Sequence, residues 1–182
     1  VDKTSAEIYV YGAPGLGKTH LLQGAALRAL SDQQSAMYID CHNSLPGHVL
    51  ESIEQLNWIS IDNIDAINAN QHDLFFDLYN RAKQAKVSML ISGPDLPPKL
   101  DVMKDLKTRL GLATIFQLEE LDDKLTMSVL NNQMSDRNLS IDSKVYEYLF
   151  KYYSRDVKVL LKAIDELDKA SLQAKQSITI PF

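Results

Sequence analysis

The stretch Gly12-Ala13-Pro14-Gly15-Leu16-Gly17-Lys18-Thr19 constrains the fold of this chain more than any other part of it. It follows the β-branched and aromatic run Ile8-Tyr9-Val10-Tyr11 and precedes a segment, Thr19 to Leu30, whose apolar residues recur at helical spacing. Strand, glycine-rich turn and helix in this order satisfy the Walker A pattern G-x-x-x-x-G-K-[ST] in the context it requires. Glycines let the backbone curl so that successive N–H groups converge on one point, and the following helix adds the positive end of its dipole. That arrangement suits phosphate. Gly12, Ala13, Pro14, Gly15, Leu16 and Gly17 are therefore read as the cradle, with His20 counted among the nucleotide-contacting residues. Lys18 is read as the cation for the β- and γ-phosphates, and Thr19 as the hydroxyl ligand of Mg²⁺.

Beyond the turn, strand and helix patterns alternate. Ala36 to Ile39, Trp58 to Ile61, Val87 to Ile91 and Ala113 to Leu118 read as four further strands. Val49 to Leu56, Asp73 to Ala85 and Val102 to Leu110 read as the helices between them, and Pro94, Pro97 and Pro98 mark a loop. This alternation predicts an α/β fold over residues 1–118, a five-stranded parallel sheet with helices on both faces. From Leu118 onward the pattern turns wholly helical, with Asp122 to Met134, Asp142 to Tyr153 and Arg155 to Ala174 as amphipathic segments. Residues 119–182 are thus expected to form a small all-α lid, its helices N-capped by Asp122, Asp142 and Ser154.

Charge argues against one class of function. The 13 acidic and 10 basic residues of positions 1–118, and the 11 and 9 of positions 119–182, leave neither half basic. Strong duplex binding needs clustered Lys and Arg to displace counterions, so direct tight DNA binding is not expected. The single cysteine, Cys41, has no disulfide partner and fits a reducing cytoplasm. No apolar run reaches the roughly 18 residues of a membrane span, so no membrane association is expected. The chain begins one short polar stretch before its first strand, which reads as an N-terminus trimmed of a preceding segment.

Trp58-Ile59-Ser60-Ile61-Asp62 is a mostly apolar strand ending in a carboxylate, as expected of an acid that holds Mg²⁺ through water. The next position is Asn63, where an active P-loop ATPase normally carries a second acid that deprotonates the attacking water. A neutral amide orients water but does not take its proton. The pocket is therefore expected to bind ADP or ATP with Mg²⁺ and to hydrolyse poorly.

Several stretches together resemble the DnaA-related AAA+ family, and within it the shorter Hda group of regulators. They are Ile61-Asp62-Asn63-Ile64, Phe76-Asp77-Leu78-Tyr79-Asn80-Arg81, Leu167-Asp168-Lys169-Ala170-Ser171 and Ile178-Thr179-Ile180-Pro181-Phe182. The resemblance implies an AAA+ base domain with Ser92, after the fourth strand, as a polar sensor near the γ-phosphate. It implies that Lys107-Thr108-Arg109-Leu110 is the box VII motif, with Arg109 an arginine finger acting in trans. It places Val157-Lys158-Val159-Leu160 at the sensor 2 position, with Lys158 in place of the usual arginine and Arg155 close enough to share the role. The implied function is regulation of DNA replication initiation, by stimulating hydrolysis of ATP bound to the partner DnaA. A sliding-clamp partner would be reached through an N-terminal peptide that is not visible here, and a homodimer stays open. Two alternatives stay open as well: an active ATPase or DNA-loading motor, and a nucleotide-dependent adaptor without stimulating activity.

Overall fold

The computed structural model describes residues 5–45, 47–136, 139, 141–154 and 156–174. The chain divides into two compact units, Val1–Glu119 and Glu120–Phe182.

The first unit is built on five parallel strands, β1 (Glu7–Tyr11), β2 (Ala36–Asp40), β3 (Trp58–Asp62), β4 (Ser88–Gly93) and β5 (Thr114–Gln117), in the spatial order β2-β3-β4-β1-β5. The expected α/β fold with a five-stranded parallel sheet is therefore what the chain adopts. Side chains alternate between the two faces of each strand. On one face Ile59, Ile61, Met89, Ile91 and Tyr9 join Phe75, Leu78, Tyr79 and Ala82 of helix α2 (His72–Gln84) in the main core. Leu106 and Leu110 of helix α3 (Lys104–Leu110) complete it. On the other face Val10 and Leu90 pack against Leu22 of helix α1 (Lys18–Ser31). There the lone polar side chain at the centre, Ser60, donates to the Leu22 carbonyl at 2.9 Å and accepts from Trp58 Nε1 at 2.9 Å, so its burial leaves nothing unpaired.

The expected helix over 49–56 is instead a run of 3-10 turns, Gly47–Gln55. Gly47 opens it and Asn57 lies two residues beyond its end, so the apolar residues Val49 and Ile53 reach the core without a full α-helical length to bury. Helix α3 starts at Lys104, two residues later than its periodicity suggests.

The second unit consists of α4 (Asp123–Ser135), α5 (Ser143–Tyr152) and α6 (Val157–Ala174) around Leu130, Met134, Tyr146, Leu149, Leu160 and Ile164. Asp122 and Asp142 cap α4 and α5, accepting from Leu125 N at 2.7 Å and Lys144 N at 2.8 Å. The third cap is a correction. Asp156, not Ser154, accepts from the Lys158 and Val159 N–H groups at 2.8 and 3.1 Å, and Ser154 Oγ instead accepts from Asp156 N at 3.0 Å. A carboxylate attracts the positive helix end more strongly than a hydroxyl, so the helix begins after Asp156. The closing segment 178–182 and Arg155 lie outside the described residues. Among the described residues no helix is long and apolar enough to cross a membrane.

Candidate nucleotide site

The turn between β1 and α1 lies at the carboxyl ends of the strands, the edge at which open α/β sheets hold ligands. Its shape depends on two glycines. A Cβ on Gly12 would lie 2.6 Å from the Leu118 carbonyl oxygen, and Gly17 adopts φ +86° immediately before the helix. Ala13, Pro14 and Gly15 are exposed, as are Thr19 and His20 in the first turn of α1, while Leu16 is half-buried. No side chain caps α1, so its first N–H groups are open to an acceptor. Lys18 Nζ folds back over the turn and donates to the carbonyls of Gly12 at 2.5 Å and Ala13 at 3.0 Å. Burial pushes its ammonium below the ordinary lysine value, opposed by the nearby carboxylates of Asp62 and Asp65.

The parallel register explains the rest of the site. Asp40 pairs with Asp62 across β2 and β3, and Val10 with Ser92 across β1 and β4, so these side chains share the α1 face at one edge of the sheet. Asp62 is fully buried. Ser92 Oγ donates to its Oδ1 in a short hydrogen bond, and Tyr38 Oη donates to its Oδ2 at 2.8 Å. Each carboxylate oxygen keeps a further lone pair for a metal-bound water. The Tyr38 hydroxyl is pushed up well above the usual phenol value, by burial first and then by its bond to Asp62, and so stays a donor.

Ser92 also accepts from the Asn63 N–H at 3.0 Å. Its proton and its acceptor are both engaged within the sheet edge. Asn63 leaves β3 with left-handed backbone (φ 56°, ψ 52°), and its Nδ2 donates to Asp40 Oδ1 at 3.0 Å. Burial alone would raise the Asp40 carboxyl, but donors from Asn63 and from His42 outweigh it and hold the group below the ordinary aspartate value. Asp65 is exposed, in a 3-10 turn beyond the strand end.

The residues expected to act together therefore divide into three places. Gly12 to His20, Asp62, Asn63 and Ser92 gather at the carboxyl edge. Arg109 stands at the opposite edge, on the last turn of α3. Its carbonyl lies 3.3 Å from Tyr79 Oη, which also donates at 2.6 Å to Glu7, the first residue of β1. Its guanidinium sits 5.9 Å over the Phe76 ring and forms no ion pair among the described residues. Lys158 is exposed in the first turn of α6, in the second unit. Sequence reasoning missed Tyr38 and Asp40. Their place beside Asp62 comes from the register of β2 against β3, which no stretch of the sequence displays.

Comparison with known proteins adds to this geometry. Residues 122–182 match the family described as Hda, lid domain. An uncharacterised protein of Haemophilus influenzae is 36% identical over 180 residues, covering 96% of this chain and 78% of its own length. AMPPCP-bound DnaA from Aquifex aeolicus superposes with a TM-score of 0.74 at 20% identity, over 91% of this chain and 57% of that one. Domain III of Thermotoga maritima DnaA superposes with a TM-score of 0.82 at 17% identity, over 94% of this chain and 79% of that one. The chain thus spans less than two thirds of the Aquifex DnaA chain.

Proposed function

The chain belongs to the DnaA-related, Hda-like group of AAA+ proteins, and on that premise we propose that it binds adenine nucleotide, as ADP in its working state, and stimulates hydrolysis of ATP held by DnaA. The observation that carries this reading is Asn63. The phosphate cradle and the buried carboxylate of Asp62 are retained, while the position that takes the water's proton holds an amide already engaged with Asp40. Such a site binds and turns over slowly, because a general base contributes about 10²–10⁴ in rate.

In this reading the turn amides and Lys18 hold the phosphates, and Thr19 and Asp62 hold Mg²⁺, the latter through water. The ion would neutralise phosphate charge. To reach a phosphate, Lys18 exchanges its two bonds to loop carbonyls for bonds to the ligand. The AMPPCP held by the Aquifex DnaA supports adenine as the base.

Arg109 supplies the activating group. From Glu7 to Tyr11, β1 spans about 13 Å at roughly 3.3 Å per residue, so an arginine anchored at one end is remote from the cradle at the other. A guanidinium with no ion pair among the described residues is available to a neighbour's γ-phosphate and supports action in trans. The test is Arg109→Ala in an assay of DnaA-bound ATP hydrolysis. ADP binding is expected to persist and stimulation to be lost, with Arg109→Lys nearly as poor because an ammonium lacks the planar fork. Normal stimulation by the alanine variant would sink the activator reading and leave the adaptor.

A further inference from the structure

Strand β2 is an edge of the sheet, paired with β3 on one side only. The ladder shows which of its backbone groups are spare. The Ser35 carbonyl accepts from Trp58 N at 3.1 Å and Cys41 N donates to the Asp62 carbonyl at 3.0 Å, so Ser35, Met37, Ile39 and Cys41 turn toward β3. A strand directs its N–H and C=O groups alternately to its two sides, and Ala36, Tyr38 and Asp40 therefore turn theirs to the free edge. Exposed edges are ordinarily guarded by lysine, proline or a bulge, but Ala36-Met37-Tyr38-Ile39-Asp40 holds neither residue and its register with β3 is unbroken. A groove flanks this edge on each face of the sheet. On the main-core face it encloses about 380 Å³ beside Met37, Ile39, Leu45 and Val49, with Asp40 in its lining. On the α1 face it encloses about 300 Å³ beside Ala26, Leu27, Leu30 and Tyr38. Leu27 and Leu30 are 66% and 52% exposed, so this groove is apolar and open to water at once. Asp40 Oδ1 is taken by Asn63 and His42, while Oδ2 has no partner among the described residues.

We propose that the free edge of β2 takes an extended segment of another protein as an added strand, its apolar side chains entering the two grooves alternately and a lysine or arginine on it pairing with Asp40. Backbone donors and acceptors spaced along a strand edge are matched by another extended chain, and a helix, whose own backbone is already bonded, cannot match them. Alternation then fixes the side chains. Successive residues of an added strand point to opposite faces, one into the groove beside Met37 and Val49 and the next into the groove beside Leu27 and Leu30. A segment suited to both grooves is apolar on both faces, as strands buried on each side are. Charge decides against a second copy of this chain. Antiparallel self-pairing centred on Tyr38 would set Asp40 against Ala36 of the other copy, and Ser35, Gln34 and Gln33 before it bring no cation to the carboxylate.

The experiment pans a display library of random octapeptides against the full chain and measures the selected peptides, fluorescein-labelled, by anisotropy. The expected consensus is a run of β-branched and apolar residues with a lysine or arginine at one end. N-methylation of every second backbone nitrogen of such a peptide is expected to abolish binding in one phase of the alternation and to spare it in the other, because only one set of N–H groups faces β2. Two variants of the chain test the place. Ala36→Pro removes an outward N–H at the first residue of an edge strand, where proline is tolerated, and is expected to weaken binding about 3–10-fold. Leu27→Glu sets a charge at an exposed position of the α1-side groove, where the fold is indifferent to it, and is expected to weaken binding at least as much. The proposal is overturned if no peptide is enriched, if the consensus is acidic, if the two N-methylated sets behave alike, or if Leu27→Glu, its urea midpoint unchanged, binds as the parent does. It is equally overturned if the chain alone sediments as a dimer that Leu27→Glu dissociates, since the edge then belongs to a second copy.

Discussion

Ser92→Ala is the substitution whose cost follows most directly from the geometry. The hydroxyl of Ser92 joins two strands of the sheet, donating to the fully buried Asp62 carboxylate and accepting from the Asn63 N–H. Removing it takes a donor from a buried anion, a hydrogen bond of the charged class worth about 1.5–3 kcal/mol. It also leaves the Asn63 N–H without an acceptor, which adds up to roughly 1 kcal/mol because that residue is only half-buried and water can reach it. The volume lost is one oxygen atom, so a cavity contributes little. The sum is about 1.5–4 kcal/mol, which at a mid-range slope of about 2 kcal/mol per molar urea lowers the midpoint by roughly 1–2 M. Trp58, the chain's 1 tryptophan, opens β3 in the first unit, so its fluorescence reports unfolding of the base. Ser88→Ala at the start of β4, the strand that carries Ser92, is the control, since Ser88 Oγ accepts only a 3.3 Å bond from Ala6 N near solvent and its loss should stay within about 0.5 kcal/mol. If Ser92→Ala matches that control, the hydroxyl is not holding the sheet edge. A purely nucleotide-facing role for Ser92 would then be the better account.

Two further outcomes follow from the same kind of accounting. Lys18→Ala should abolish ADP binding in a calorimetric titration while leaving the urea midpoint unchanged, because the ammonium bonds only to carbonyls of its own loop; retained affinity would contradict the cradle assignment. Tyr146→Phe should stabilise α5 by about 1 kcal/mol, read as slower amide hydrogen exchange over residues 143–152, because the buried Tyr146 Oη has no hydrogen-bond partner among the described residues; faster exchange in that helix would refute it.

Local pattern carried much of the fold. Ile8 to Tyr11, the glycine-rich turn and α1 are each specified by residues adjacent in the chain, the strands read as short apolar runs, and the 3.6-period helices reveal their own buried face. The same is true of the caps at Asp122 and Asp142, which need only a short polar side chain before an amphipathic run. Failures occurred where two local signals competed. The run Gly47–Gln55 has helical spacing but winds as 3-10 turns, and Asp156 outcompeted Ser154 for the start of α6.

By itself, then, the sequence determined the order of strands and helices, the glycine-rich turn with Lys18 and Thr19, the carboxylate at Asp62 and the amide at Asn63. Only the tertiary structure decided what those groups touch. Asp40 and Asn63 are 23 residues apart, and Asp62 and Ser92 are 30 apart, yet they bond because β2, β3 and β4 are neighbours in register. Likewise it was the packing of α3 against α2 and the start of β1 that set Arg109 at the edge away from the glycine-rich turn. Periodicity records which face of an element is buried. Strand order and register, which choose the neighbour across that face, arise from the simultaneous burial of all the elements and are written in no single stretch of the chain.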